Sequence, residues 1–208
     1  MSDPSKFWTK LAPKYAKMAV RNPEAYDHKL SLLRGLITDQ DQIVEIGCGT
    51  GSTAITLAPL AGHYIAADYA QGMIDIANQK KADAGLENLN FHCTDWTELD
   101  LAPNSQDKVF AMSILHLLPQ PEKAVAEAWR LLKPGGIFAS STICLKDCYR
   151  FMAPIIPVAT FFGFFPYIRR MSKAQLSDLV TAPGFEIREE YHPGPKEAVF
   201  LVAQKPLS

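Results

Sequence analysis

The chain has 208 residues, enough for one α/β domain with decorations and short for two independent cores. With 48% hydrophobic and 21% charged residues it has the composition of a folded globular protein, not of a disordered or fibrous one. A formal net charge of −1 and a pI near 6.5 give no positive field to concentrate nucleic acid, so no nucleic-acid partner is expected. Cys48, Cys93, Cys144 and Cys148 form no C-x-x-C pair and no zinc-type spacing, so free thiols and no metal are expected. Met1-Ser2-Asp3-Pro4 opens no basic-then-apolar leader, which makes the cytoplasm the expected compartment.

Ser2-Asp3-Pro4 supplies a cap followed by a first-turn proline, and Phe7, Leu11 and Tyr15 follow at helical spacing, predicting a helix over about 4 to 19. Asn22-Pro23-Glu24 repeats the signal before Tyr26, Leu30, Leu33 and Ile37. From residue 42 short apolar runs alternate with helical stretches, the pattern of βαβ units around a parallel sheet. Strands are predicted at 43–46, 64–67, 89–92, 108–112, 137–141, 185–190 and 199–203, with helices near 51–60, 71–84, 121–132 and 173–182. Ser172-Lys173-Ala174-Gln175 reads as a capping box opening the last helix.

The segment Val44-Glu45-Ile46-Gly47-Cys48-Gly49-Thr50-Gly51 places three alternating glycines where a buried strand turns into a helix. Glycine tolerates φ > 0 and lets backbone approach a ligand with no Cβ in the way. A dinucleotide fingerprint, G-x-G-x-x-G, would need glycine where Ser52 stands. Asp68 ends the second strand about 20 residues on, where an acidic side chain accepts from the two hydroxyls of a ribose; the alternative is a cap for the helix near Gln71. Asp95-Trp96 ends the third strand and offers a carboxylate for an exocyclic amine beside a flat apolar ring, or else a surface turn.

These motifs, with the strand Asp107 to Leu118 and the turn Leu131-Leu132-Lys133-Pro134-Gly135-Gly136, resemble in order and spacing the class I S-adenosylmethionine-dependent methyltransferases. The likeness runs over about residues 40 to 205 and is strongest to the small-molecule group that includes the ubiquinone and menaquinone biosynthesis enzymes. It implies an α/β, Rossmann-like fold: a seven-stranded, mostly parallel sheet with helices on both faces, its last strand antiparallel. It also implies S-adenosyl-L-methionine as cofactor. By matching position, Glu45, Gly47, Cys48, Gly49 and Gly51 would line the methionine part, Asp68 the ribose, and Asp95 with Trp96 the adenine, with Tyr69, Met73 and Ser113 nearby. Tyr69 and Met73 have a second reading as core. His116, after the fourth strand, would take or orient a proton on the acceptor, or else be a buried histidine bonded to backbone.

The expected organisation is one methyltransferase domain: N-terminal helices over 1–38, a cofactor-binding core over 40–145, a lid insertion over 146–171 and a closing helix with strands over 172–208. Phe151 to Ile168 is an uncharged apolar run broken by Pro154, Pro157, Gly163 and Pro166, unsuited to a lipid-exposed helix. It is read as a lid, with a homodimer interface or a membrane-surface contact flanked by Arg169 and Arg170 as alternatives. Tyr15, Phe162 and Phe165 are the expected substrate contacts. The function this predicts is methyl transfer to an oxygen, nitrogen or carbon of a small, fairly apolar molecule; the alternative is a non-catalytic module that keeps the cofactor site.

Overall fold

A computed structural model describes residues 3–148 and 167–207. Asp3 accepts at Oδ1 from Ser5 N (3.0 Å) and Pro4 begins α1, Pro4–Tyr15; Asn22 accepts from Ala25 N (3.1 Å) and Pro23 begins α2, Pro23–Arg34. Both helices stop short of the expected ends. After Tyr15 the bonds tighten to the three-residue kind, Lys17 to Lys14 and Met18 to Tyr15, one turn beyond Pro13. At Gly35 the same tightening, Leu36 to Leu33, replaces the last expected turn of α2.

The remaining elements, in chain order, are β1 (Gln42–Ile46), α3 (Ser52–Leu57), β2 (His63–Asp68), α4 (Gln71–Ala84), β3 (Leu89–Cys93), β4 (Gln106–Met112), α5 (Pro121–Leu131), β5 (Leu132–Thr142), α6 (Leu145–Cys148), α7 (Lys173–Thr181), β6 (Glu186–Tyr191) and β7 (Val199–Gln204). The seven strands form one sheet in the order β3-β2-β1-β4-β5-β7-β6. β1, β2 and β3 pair in parallel, and β7 runs antiparallel to both β5 and β6. The fold expectation therefore holds. β5 begins five residues before the predicted strand, inside the Leu132 to Gly136 stretch read as a turn, because Gly135 N donates to Lys205 O and Lys205 N to Gly136 O.

Two compact units divide the described residues: those up to Leu101 with Gln106–Lys108, and Ala102–Ser105 with those from Val109 on. In the first, α1 lies against α4 through Ala12, Ala70 and Met73, with Trp8, Tyr69 and Ile76 around them. Gly72 permits that approach, since a Cβ there would stand 2.7 Å from Thr9 O. Below, Asp107 accepts from Gln42 N (2.9 Å) and Asp41 pairs with Lys108 (3.2 Å), fixing the start of β1. In the second, Phe185 stacks on Phe138 (5.4 Å) and meets Trp129 edge-on (5.0 Å). Each such ring pair is worth about 0.5–1.5 kcal/mol beyond the area it buries. Ser172 and Gln175 complete the predicted capping box at α7.

Candidate functional site

β1 is buried along four of its five residues and delivers the chain to the glycine turn, where Gly47, Gly49 and Gly51 have φ of +67°, +53° and +73°. Left-handed backbone at all three explains why glycine stands there. Their surroundings differ. A Cβ on Gly51 would lie 2.5 Å from the Phe91 ring, so Gly51 is bare for internal packing. A Cβ on Gly49 would meet nothing within 4 Å, so the space over Gly49 is open. Cys48 is buried, its N donating to Ala67 O (3.0 Å) and its O accepting from Gly51 N (3.0 Å), which ties the turn to β2.

Asp68 stands at the end of β2 and braces the same turn: Oδ2 accepts from Gly49 N (3.0 Å) and Oδ1 from Ala70 N (2.9 Å). It does not cap α4, whose cap position is Ala70 with no side-chain bond. Burial raises its pKa, opposed by those two backbone bonds. Each oxygen keeps a further lone pair for a donor.

The β1–β2 register pairs Ile43 with Tyr64 and Glu45 with Ala66, so the two-residue side-chain period puts Glu45, Tyr64 and Asp68 on one face of the sheet. Glu45 is 1% exposed and accepts at Oε2 from the Tyr64 hydroxyl (2.9 Å). Burial pushes its carboxyl up to about 8; the Tyr64 bond works against that and the Asp68 carboxylate adds to it. At neutral pH the carboxyl is mostly protonated, and a bound cation would favour its charged form.

Asp95 caps the single turn Trp96–Glu98, its Oδ1 accepting from Thr97 N (2.9 Å) and Thr97 Oγ1 (2.6 Å), and both Asp95 and Trp96 are half-buried. Tyr69 and Met73 pack in the α1–α4 contact, where the Trp8 indole bonds to the Tyr69 hydroxyl; burial, then Asp68 and Asp3, raise that phenol to about 12. Tyr15, at the C-terminal end of α1, is 41% exposed; partial burial first, and then the Asp68 charge, raises its phenol.

Ser113 and His116 belong to the second unit. Ser113 has φ +61° and donates from its N to Ser141 O (2.8 Å). His116 is buried within the turn Leu115–Leu117; desolvation pulls its pKa down to about 4, and Nδ1 has no hydrogen-bond partner among the described residues. It is neutral at pH 7. Its carbonyl accepts from Arg169 N (2.7 Å), while the Arg169 guanidinium is bonded to Pro119 O and paired with Glu122, so this arginine is committed inside the chain. Phe162, Phe165 and most of the expected lid lie outside the described residues. Among the described residues no group of three or more metal-ligating side chains occurs and no helix is long and apolar enough to cross a membrane.

Two residues of the first unit escaped the sequence reading. Tyr64 is one, visible only as a polar-tipped ring in an otherwise apolar strand. Lys80 is the other: from α4 its Nζ donates to Thr50 O (3.0 Å), Thr50 Oγ1 (3.2 Å) and Ser52 Oγ (3.1 Å), clamping the exit of the glycine turn across a sequence gap that carries no local signal.

Residues 44–140 match a family described as a methyltransferase domain. That match covers just under half of the chain. The open space over Gly49, whose N–H is held by the Asp68 carboxylate, suits a ligand that carries positive charge. Over 96 residues the chain is 32% identical to a demethylmenaquinone methyltransferase of Clavibacter sepedonicus, covering 46% of this chain and 38% of that protein. Over 202 residues it is 24% identical to a ubiquinone biosynthesis O-methyltransferase of Coxiella burnetii, covering 92% and 84%. The chain spans between 20% and 38% of the length of the first four curated relatives it matches. In fold it is similar to the methyltransferase solved in complex with the Trm112 activator of Haloferax volcanii, with a TM-score of 0.77, 18% identity and coverage of 96% and 97%.

Proposed function

We propose that this protein transfers the methyl group of S-adenosylmethionine to an oxygen, nitrogen or carbon of a small, fairly apolar molecule, with the cytoplasm as its compartment. The observation that carries the reading is the glycine turn, left open over Gly49, with Asp68 bonded to Gly49 N and Glu45 buried two residues before the turn. The cofactor supplies an electrophilic methyl on a sulfonium that leaves as a neutral thioether, so alignment and exclusion of water account for much of the rate. Glu45, Gly47, Cys48, Gly49 and Gly51 hold the methionine end, Asp68 accepts from the ribose, and Asp95 with Trp96 receives the adenine. Tyr69, Met73 and Ser113 complete that set, the first two by seating α1 beside it. His116, neutral at physiological pH, offers Nδ1 as an acceptor that orients the proton of the methyl acceptor. A side chain with a pKa near 4 is a weak base, which favours orientation over full proton abstraction.

Tyr15, Phe162 and Phe165 are the proposed substrate contacts and the 151–168 run the proposed lid, its aromatic composition favouring an apolar acceptor. A homodimer interface or a membrane-surface contact for that run is the alternative, and the internal pairing of Arg169 counts against the membrane version. The quinone-pathway names of two relatives support testing phenols, catechols and quinols first. The experiment is to incubate the protein with S-adenosylmethionine and that panel and to quantify S-adenosylhomocysteine. Product formed with at least one acceptor is the expected result. Micromolar cofactor binding without product from any acceptor class would favour the non-catalytic module.

A further inference from the structure

We propose that binding of S-adenosylmethionine at the glycine turn ionises Glu45, breaking its carboxyl O–H bond and releasing that proton to solvent, with Tyr64 as the positioning residue that holds the carboxylate. The proposal rests on the reading that the cofactor binds at this turn.

The geometry is specific to this pair. Glu45 sits on the buried face of β1 with its Oε2 held by the Tyr64 hydroxyl at 2.9 Å, and Tyr64 is itself fully buried in β2. The groups acting on the pair are Asp68 from the end of β2, the Cys48 thiol from the turn, and the Tyr26 phenol from α2, with Arg34 acting on Tyr26 and Thr53 of α3 bonded to it; none among the described residues comes from β4 on the other side of β1. Those acting directly on Glu45 are a phenol and a carboxylate; neither is a cation. A buried carboxylate without a positive partner is costly, so the cofactor-free site keeps the acid neutral, in line with its carboxyl lying near 8. The cofactor brings positive charge in two places, an α-ammonium and a sulfonium. Either supplies the missing partner, and the charge balances: one proton leaves, one carboxylate forms against one cation.

The test is calorimetric titration of the full chain with S-adenosylmethionine at pH 6.5 in two buffers of different ionisation enthalpy, repeated from pH 5.5 to 7, below the range of the ligand's own α-amino group at about 8. The expected result is release of about one proton and an affinity that tightens about tenfold per pH unit. A difference infrared spectrum should lose a protonated-carboxyl band on binding. Glu45→Gln should release no proton and bind with an affinity independent of pH. Tyr64→Phe, which removes a donor that favours the carboxylate, should weaken binding several-fold at pH 7 and carry the pH dependence to higher pH. Repeating the titration with S-adenosylhomocysteine separates the two cations: release with both ligands assigns the ammonium, release with S-adenosylmethionine alone assigns the sulfonium, and either outcome supports the proposal. Tight binding by the wild type with no proton released overturns it, as does undiminished release from Glu45→Gln, which would assign the proton to Asp68. Absence of binding by the folded wild type would overturn the cofactor reading and this proposal together.

Discussion

Glu45 in one unit and His116 in the other are both buried, and burial acts on them in opposite directions with the same outcome. Glu45 is pushed up to about 8 and His116 down to about 4, so both are neutral at pH 7. Their surroundings differ. Around the glycine turn the polar groups are already engaged: Asp68 with Gly49 and Ala70, Asp95 with Thr97, Lys80 with Thr50 and Ser52, Glu45 with Tyr64. In the second unit His116 Nδ1, Ser140 Oγ and Thr142 Oγ1 are buried without a hydrogen-bond partner among the described residues. In the first arrangement the hydrogen bonds are formed before anything binds, whereas in the second these buried polar atoms are left uncommitted.

The sharpest way to break this contrast is within the turn itself. Gly49→Val should lose S-adenosylmethionine binding entirely while the protein still folds, because its side chain enters open space and costs only the strain of left-handed backbone. Gly51→Val should instead lower the melting temperature sharply, since it drives into Phe91. Calorimetry and thermal melts of the pair decide the matter; equal affinity in Gly49→Val would remove the turn from the site. Next in size, His116→Gln should lower turnover by roughly 10²–10⁴ with cofactor affinity unchanged, and an acidic limb near pH 4 in the wild-type pH–rate profile should vanish. A limb that persists in the variant assigns it to another group.

Asp68→Ala should weaken cofactor binding about tenfold or more, and by more than Asp95→Ala, because a hydrogen bond to a charged group is worth about 1.5–3 kcal/mol and Asp68 also braces Gly49 N. Titration of both variants ranks them. A separate expectation concerns stability against pH. Glu45 holds its proton in the folded cofactor-free chain above its ordinary 4.5, so raising pH from about 4.5 to 8 favours the unfolded state by at most about 1.4 kcal/mol per pH unit. His116 resists protonation when folded, so lowering pH from 6.5 to about 4 also destabilises. Denaturant unfolding should show a maximum between these limits, and Glu45→Gln should flatten the alkaline side alone.

What the sequence disclosed was local. The three glycines announced left-handed backbone, the proline-and-cap pairs started α1 and α2 at the right residues, and the buried strands were signalled by short apolar runs, whereas β6 is mostly charged and exposed. What it concealed depended on register and distance. Glu45 meets Tyr64 only because β1 pairs with β2 in one particular alignment, and Lys80 reaches Thr50 only once α4 is packed. Asp68 was read for its ligand, yet half of its hydrogen bonding goes to the turn beside it. The early start of β5 is set by Lys205, which lies far along the chain.

The placement of β7 between β5 and β6 bears on how the molecule is made. β1, β2 and β3 find their neighbours in the order in which a ribosome delivers them, so that part of the sheet grows with short loops to close. β6 emerges with no neighbour at all until residues 199–204 arrive, and then a single hairpin seals two open edges at once. The nascent chain therefore has to shield β5 from its own completion at Thr142 until Val199 emerges, and shortening the chain before Val199 should yield a protein that aggregates rather than one that folds without its last strand.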